Sequence, residues 1–138
     1  MDTLNRELVR LADRYIDDSH EDFAELGQRF FEAFGYDRNA GHASAQVLNL
    51  QQIALSARRF VDIEDFVKNQ MGKRTNKWPL VGDEVLSQLK VLRQESRNIS
   101  EDRAQQFLVR LHLARGWVNV VVGEYRYRIA HSRMEDSS

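Results

Sequence analysis

Arg126 and His131 stand with four residues between them, and that pair could cleave RNA. A histidine moves the 2′-hydroxyl proton while an arginine holds the phosphate as charge develops on it. A larger set of side chains points to binding rather than cutting. Lys68, Lys73, Arg74 and Lys77 surround Trp78, and Arg103, Arg110, Arg126, Arg128 and Arg133 share one later segment with Trp117, Tyr125 and Tyr127. Cations neutralise a nucleic-acid backbone and release its counterions, and aromatic faces stack unpaired bases. Other chemistries lack their residues. No His-x-x-x-His and no pair of Glu-x-x-His motifs exists to hold a metal, and the acidic group Asp17, Asp18, Glu21, Asp22 and Glu25 suits helix capping and solvation better than a divalent cation. Gly72-Lys73 looks like the end of a phosphate loop, but Val67 stands where the first glycine belongs and Arg74 replaces the serine or threonine. No serine or threonine has a triad setting, and His20, His42, His112 and His131 form no constellation. The sequence implies no cofactor, and the balance falls on binding over catalysis.

Positioning these residues falls first to the stretch from Ser100 to about Ala130. Its apolar residues, Ala104, Phe107, Leu108, Leu111, Ala114, Val118, Val121, Val122, Tyr125 and Ile129, recur in steps of three and four, the helical period. Ser100 can accept from the open N–H groups of the first turn, Glu101 and Asp102 suit the positive end, and Arg126 and Arg128 suit the negative end. About 30 residues at roughly 1.5 Å each give a rod of about 45 Å. Val118–Val122 favours a strand, and Gly116 and Gly123 lower helix propensity. No turn signal breaks the period, so the spacing still predicts one helix.

Upstream, Leu4, Leu8, Leu11, Ala12, Tyr15 and Ile16 predict a first helix opened by Asp2 or Thr3 and ending near Asp17. Ser19 with Asp22 resembles a capping box, and Phe23, Leu26, Phe30, Phe31 and Phe34 predict a second helix that stops at Gly35. Residues 1–35 thus read as an acidic helical hairpin. Tyr36–Ala43 reads as a loop. Ser44 caps a third helix through Val47, Leu50, Ala54 and Ala57, and Phe60, Ile63, Phe66, Val67 and Met71 continue it, with a bend favoured over a break. Residues 72–82 form a basic loop. Asp83 opens a fourth principal helix through Val85, Leu89, Leu92 and Ser96, and 134–138 is a frayed polar tail.

With 138 residues, 42 % of them hydrophobic, the chain has the size of one domain, here a single all-α bundle of four to five helices over 1–138. It has no cysteine, no run long and apolar enough to cross a membrane and no signal peptide, so a soluble cytoplasmic protein is expected. The net charge of −1 conceals segregation. Residues 1–38 hold ten acids against five bases, 39–80 hold six bases against three acids, and 103–133 hold six arginines against Glu124 alone. Such blocks suit phosphate contacts or complementary edges between protomers.

Two resemblances bear on function. Arg126-Tyr127-Arg128-Ile129-Ala130-His131 resembles the Arg-x4-His motif of HEPN ribonucleases, with Tyr127 where a small polar residue is usual. That resemblance implies RNA cleavage by Arg126 and His131. Gly116-Trp117-Val118-Asn119-Val120-Val121-Val122-Gly123-Glu124-Tyr125-Arg126-Tyr127 resembles the closing helix of the small helical subunits of type III CRISPR effector complexes. What this implies is a non-catalytic bundle of an RNA-guided antiviral defence complex, stacking with copies of itself along guide and target and touching backbones through basic helix faces. The leading expectation is therefore a non-catalytic subunit of a nucleoprotein complex. Its partners would be other protein subunits or further copies, with single-stranded RNA or DNA, and no membrane. Its contacts would come from Lys68, Lys73, Arg74, Lys77, Trp78, Arg110, Arg126 and Arg128. The alternatives are the ribonuclease and a protein-only dimerisation or adaptor module, in which the acidic hairpin of one copy meets the basic face of another.

Overall fold

Helical periodicity dominates the chain, and the fold follows it. The computed structural model describes residues 3–37, 42–73 and 77–137. It is an all-α bundle: α1 (Arg6–Asp18), α2 (His20–Phe34), α3 (Ala45–Ser56), α4 (Phe60–Met71), α5 (Gly82–Ile99) and α6 (Arg103–Ser137), with a 3-10 turn at Trp78–Leu80. The predicted loop after Gly35 contains a two-residue antiparallel ribbon, β1 (Tyr36–Asp37) with β2 (His42–Ala43), pairing Tyr36 with Ala43 and Asp37 with His42. Residues 38–41 of that loop lie outside the described residues.

The expected long helix is present and is the centre of the molecule. It spans 35 residues, about 52 Å at the helical rise, and α1, α2, α3 and α5 all pack on it. Ser100 is not its cap. Asp102 takes that place by accepting the Gln105 N–H at 2.9 Å, while Ser100 closes α5 and accepts from Asp102. At its far end α6 takes in residues 134–137 of the expected tail, because polarity without glycine or proline does not stop a helix. The valine run stays helical because Val118, Val121 and Val122 are fully buried, and packing overrides strand propensity. Close approach is part of that packing. A Cβ on Gly27 of α2 would collide with the Val121 carbonyl of α6, and one on Gly116 would collide with Ile16 of α1.

Contacts along α6 give the directions of its neighbours. Asn5 meets Gln105, Asp13 meets His112, Ile16 meets Gly116 and Gly27 meets Val121, so α1 and then α2 advance in step with α6. The two do not fold back side by side as a hairpin; a single residue, Ser19, joins them. Ser19 forms no capping box, because its N–H is already bonded to Tyr15 O at 3.0 Å and its backbone is near-helical rather than extended. The first cap is Asn5, whose side chain accepts from Glu7 N at 2.8 Å, and not Thr3; Asp2 lies outside the described residues. On the other side of α6, α5 runs antiparallel: Ser96 faces Arg110 and Gln88 faces Trp117. Helix α3 is antiparallel too, with Ser44 at Tyr125 and Gln51 at Asn119.

The bend expected between Ala54 and Phe60 is a break. Ala57 and Arg59 are extended, and α4 restarts at Phe60. Val47, Leu50 and Ala54 form one buried stripe and Phe60, Ile63 and Val67 another. Six residues separate Ala54 from Phe60, about 600° of rotation, so a continuous helix would hold the stripes about 120° out of phase. Breaking the chain lets both face the core. Five expected elements thus become six helices.

Candidate nucleic-acid interface

The basic loop is built around a tryptophan turned inward. Pro79 sets the 3-10 turn, closed by Leu80 N to Lys77 O at 3.1 Å and Val81 N to Trp78 O at 3.0 Å. That turn drives Trp78 into the core, where it is 0 % exposed and meets Phe34, Phe30 and Phe66 edge-on at 5.5, 5.7 and 6.0 Å. Trp78 is therefore not a base-stacking platform; its apolar area went to the core. Around it Lys68, Lys73 and Lys77 are exposed, and among the described residues none of the three makes an ion pair. Arg74 lies outside the described residues.

Helix α6 divides its expected basic face between exposed and buried positions. Arg126 is exposed. Arg128 is half-buried, its Nε 3.0 Å from a Glu124 oxygen in an i,i+4 pair that takes up part of its charge. The side chain of Arg133 lies outside the described residues. Arg110 is buried, 5 % exposed, and belongs to the opposite end of the bundle from the lysines. It does not stand on the open surface as expected, because α5 packs over it. Trp117 and Tyr125 are also core residues. The Trp117 indole N–H donates to Gln88 Oε1 at 2.8 Å, and the Tyr125 hydroxyl accepts from Ser44 N at 2.8 Å and donates to Gly35 O at 2.5 Å.

One aromatic near the arginines is open. Tyr127 is 63 % exposed, and its ring lies nearly parallel to that of His131, centroids 6.0 Å apart at 14°. Phe31, Arg128 and Ser132 complete a hollow beside that pair. Since Phe30 and Phe34 of α2 touch Trp78 while Phe31 borders the hollow, the lysines and Tyr127 flank the same end of α2. Arg126 and His131 do not converge. Five residues of helix turn through about 500°, leaving the two side chains about 140° apart around α6. Within one chain this geometry gives the Arg-x4-His pair no shared substrate position.

Burial shifts two of the groups on α6. It raises the Tyr125 pKa above the usual phenol value, against the opposing effects of the Ser44 N–H and Arg126. It lowers the Arg110 pKa below the guanidinium norm, and the nearby Arg93 and Arg97 push in the same direction while Glu64 opposes them. Arg93, Arg97 and Phe107 were not among the sequence-derived binding residues. A signal for them exists, since Ser96 and Arg110 are equally far from Arg103 and the α5–α6 link is short enough to fix that register.

Among the described residues, no helix is long and apolar enough to cross a membrane, and no three His, Asp or Glu side chains gather as metal ligands. Comparison of the chain with family models, with curated proteins and with solved structures found no match to any of them.

Proposed function

We propose that this chain is a non-catalytic cytoplasmic subunit of a nucleoprotein assembly, holding the backbone of single-stranded RNA or DNA while neighbouring protein subunits pack against it. The observation that carries this reading is that Lys68, Lys73 and Lys77 stand exposed and without ion pairs among the described residues around the inward-turned Trp78, while the Tyr127–His131 stack is open beside Phe31 in the last turns of α2. Ammonium groups that no carboxylate neutralises are available to phosphates, and an open phenol ring supplies a face for a base. A type III CRISPR-like small subunit is one member of this class. The stretch carrying that resemblance includes Trp117, Val118, Val121, Val122 and Tyr125, all buried, so its wording also meets the needs of packing.

Filter binding of a short single-stranded RNA across a salt series tests the reading. Binding should weaken steeply with salt. Replacing Lys68, Lys73 and Lys77 together by glutamine should flatten the log–log slope by about 2, roughly 0.7 for each phosphate that is no longer neutralised. Binding that ignores both salt and these substitutions would refute the proposal. RNA cleavage that disappears in His131→Ala would replace it with the ribonuclease reading.

A further inference from the structure

Arg110 is the one buried charge among the described residues, and the protein supplies it with little compensation. Its Nε donates to Ser96 Oγ at 2.9 Å, and that hydroxyl spends its own proton on Arg93 O at 2.6 Å. The guanidinium lies over the Phe107 ring, 5.4 Å from the centroid. Its terminal N–H groups meet no acceptor among the described residues but are not sealed from water, and no carboxylate lies within ion-pair reach there. Glu64, the acid that partly offsets it, is already engaged by Arg93, which also sits over Phe60 at 5.2 Å. Arg97, one turn beyond Arg93 on α5, is exposed and likewise has no ion pair among the described residues.

Around Arg110 the guanidiniums of Arg93 and Arg97 thus act against the Glu64 carboxylate alone, and the local field favours an anion. Terminal N–H groups that reach water and meet no acceptor in the protein are open to an anion. A phosphate monoester carries close to two negative charges near neutral pH and presents oxygens that match the forked N–H groups of arginine. Phe107, 57 % exposed beside Arg110, offers an apolar ring surface where a nucleobase could lie.

We infer that Arg110, Arg97 and Arg93 form a binding site for the phosphate monoester of a nucleotide or of a nucleic-acid 5′ end, with Phe107 against the base. The terminal nitrogens of Arg110 take the oxygens at the floor, and Arg97 adds the second charge from the rim. This site lies at the opposite end of α6 from the lysine face and does not depend on it. Backbone phosphodiesters carry a single charge and fit it less well than a terminal phosphate.

The test uses the full chain at constant ionic strength. Inorganic phosphate, compared with chloride, should raise the thermal midpoint and shift the Arg110 Nε–Hε resonance. A nucleoside 5′-monophosphate should bind more tightly than inorganic phosphate, and a 5′-phosphorylated oligonucleotide at least about tenfold more tightly than its 5′-hydroxyl twin, the loss expected for one charge-assisted contact. The relative strength of the nucleotide and the oligonucleotide separates a free ligand from a strand end. Arg97→Gln, at the surface, should weaken phosphate binding about tenfold and leave the ligand-free midpoint unchanged, so the test survives if Arg110→Met fails to fold. The proposal is overturned if phosphate acts no differently from chloride, if the two oligonucleotides bind equally, or if binding survives Arg97→Gln but is lost with Lys68, Lys73 and Lys77. A phosphoserine peptide that outcompetes the phosphorylated oligonucleotide would equally overturn it.

Discussion

Tyr125 and Arg110 lie on the same helix, fifteen residues or about 22 Å apart, and both carry a polar group into the interior. Their surroundings differ in one respect. The Tyr125 hydroxyl both donates and accepts, tying Gly35 and Ser44 together across the base of the ribbon, so its hydrogen-bonding capacity is well used. The Arg110 guanidinium has a hydroxyl on Nε, a ring beneath it and two other arginines nearby. A buried polar group with its partners in place stabilises the fold, whereas an inward-packed side chain whose terminal groups reach water without a protein partner marks a place where something else can bind.

Substitutions can break or sharpen this contrast. The largest effect belongs to Trp78→Ala, which removes a fully buried ring and should destabilise the fold by about 3–5 kcal/mol in denaturant titration. A variant that instead kept its midpoint and lost RNA affinity would move Trp78 to the binding class. Tyr125→Phe comes next. It strips two partners of their hydrogen bond and should cost about 1–3 kcal/mol by the same measurement. Alkaline pH should reproduce part of this loss. Because burial raises its pKa, folded Tyr125 holds its proton more tightly than the unfolded chain does. Its contribution is therefore complete below the ordinary value of about 10 and is lost as pH climbs through the raised one. Stability followed by circular dichroism between pH 8 and pH 11 should fall less in Tyr125→Phe, with a remainder from Tyr15, which burial also raises. Arg110→Met should differ from all of these. Exchanging an uncompensated charge for an apolar chain of similar length should change stability by no more than about 1 kcal/mol, or increase it. A loss as large as that of Tyr125→Phe would make Arg110 a structural residue and erase the contrast. Glu124→Gln should do least, below about 1 kcal/mol, since its partner Arg128 keeps access to water.

The fold class and the long central helix were legible because helical spacing is a local signal. Errors arose where a local pattern depended on a distant partner. The spacing runs the stripe of α3 through Ala57 into α4, but Ala57 is only the residue at which the chain leaves the helix, and the rotation that decides this shows only once both stripes face one core. The acidic hairpin followed from the charge and length of two short helices, neither of which reveals that α1 and α2 travel beside α6 in its own direction. The binding residues were legible as types but not as positions. Lysines stay at the surface almost regardless of context, so Lys68, Lys73 and Lys77 came out exposed. Tryptophan and arginine are amphipathic, and tertiary packing decides which end of each meets water. Trp78 and Arg110 went inward for that reason, while Tyr127, adjacent to two arginines, stayed out.

The parallel course of α1 and α2 along α6 ties together segments roughly a hundred positions apart in the chain. During synthesis the earlier helices emerge amphipathic but without the surface they share, since that surface belongs to the last of these elements to be made. Until Arg103 and the turns after it leave the ribosome, Phe23, Leu50 and Leu89 have no common partner, and loop closure over such spans is slow. Packing of this bundle thus waits for α6, and a nascent chain stalled before that point would display the greasy faces of its helices to chaperones.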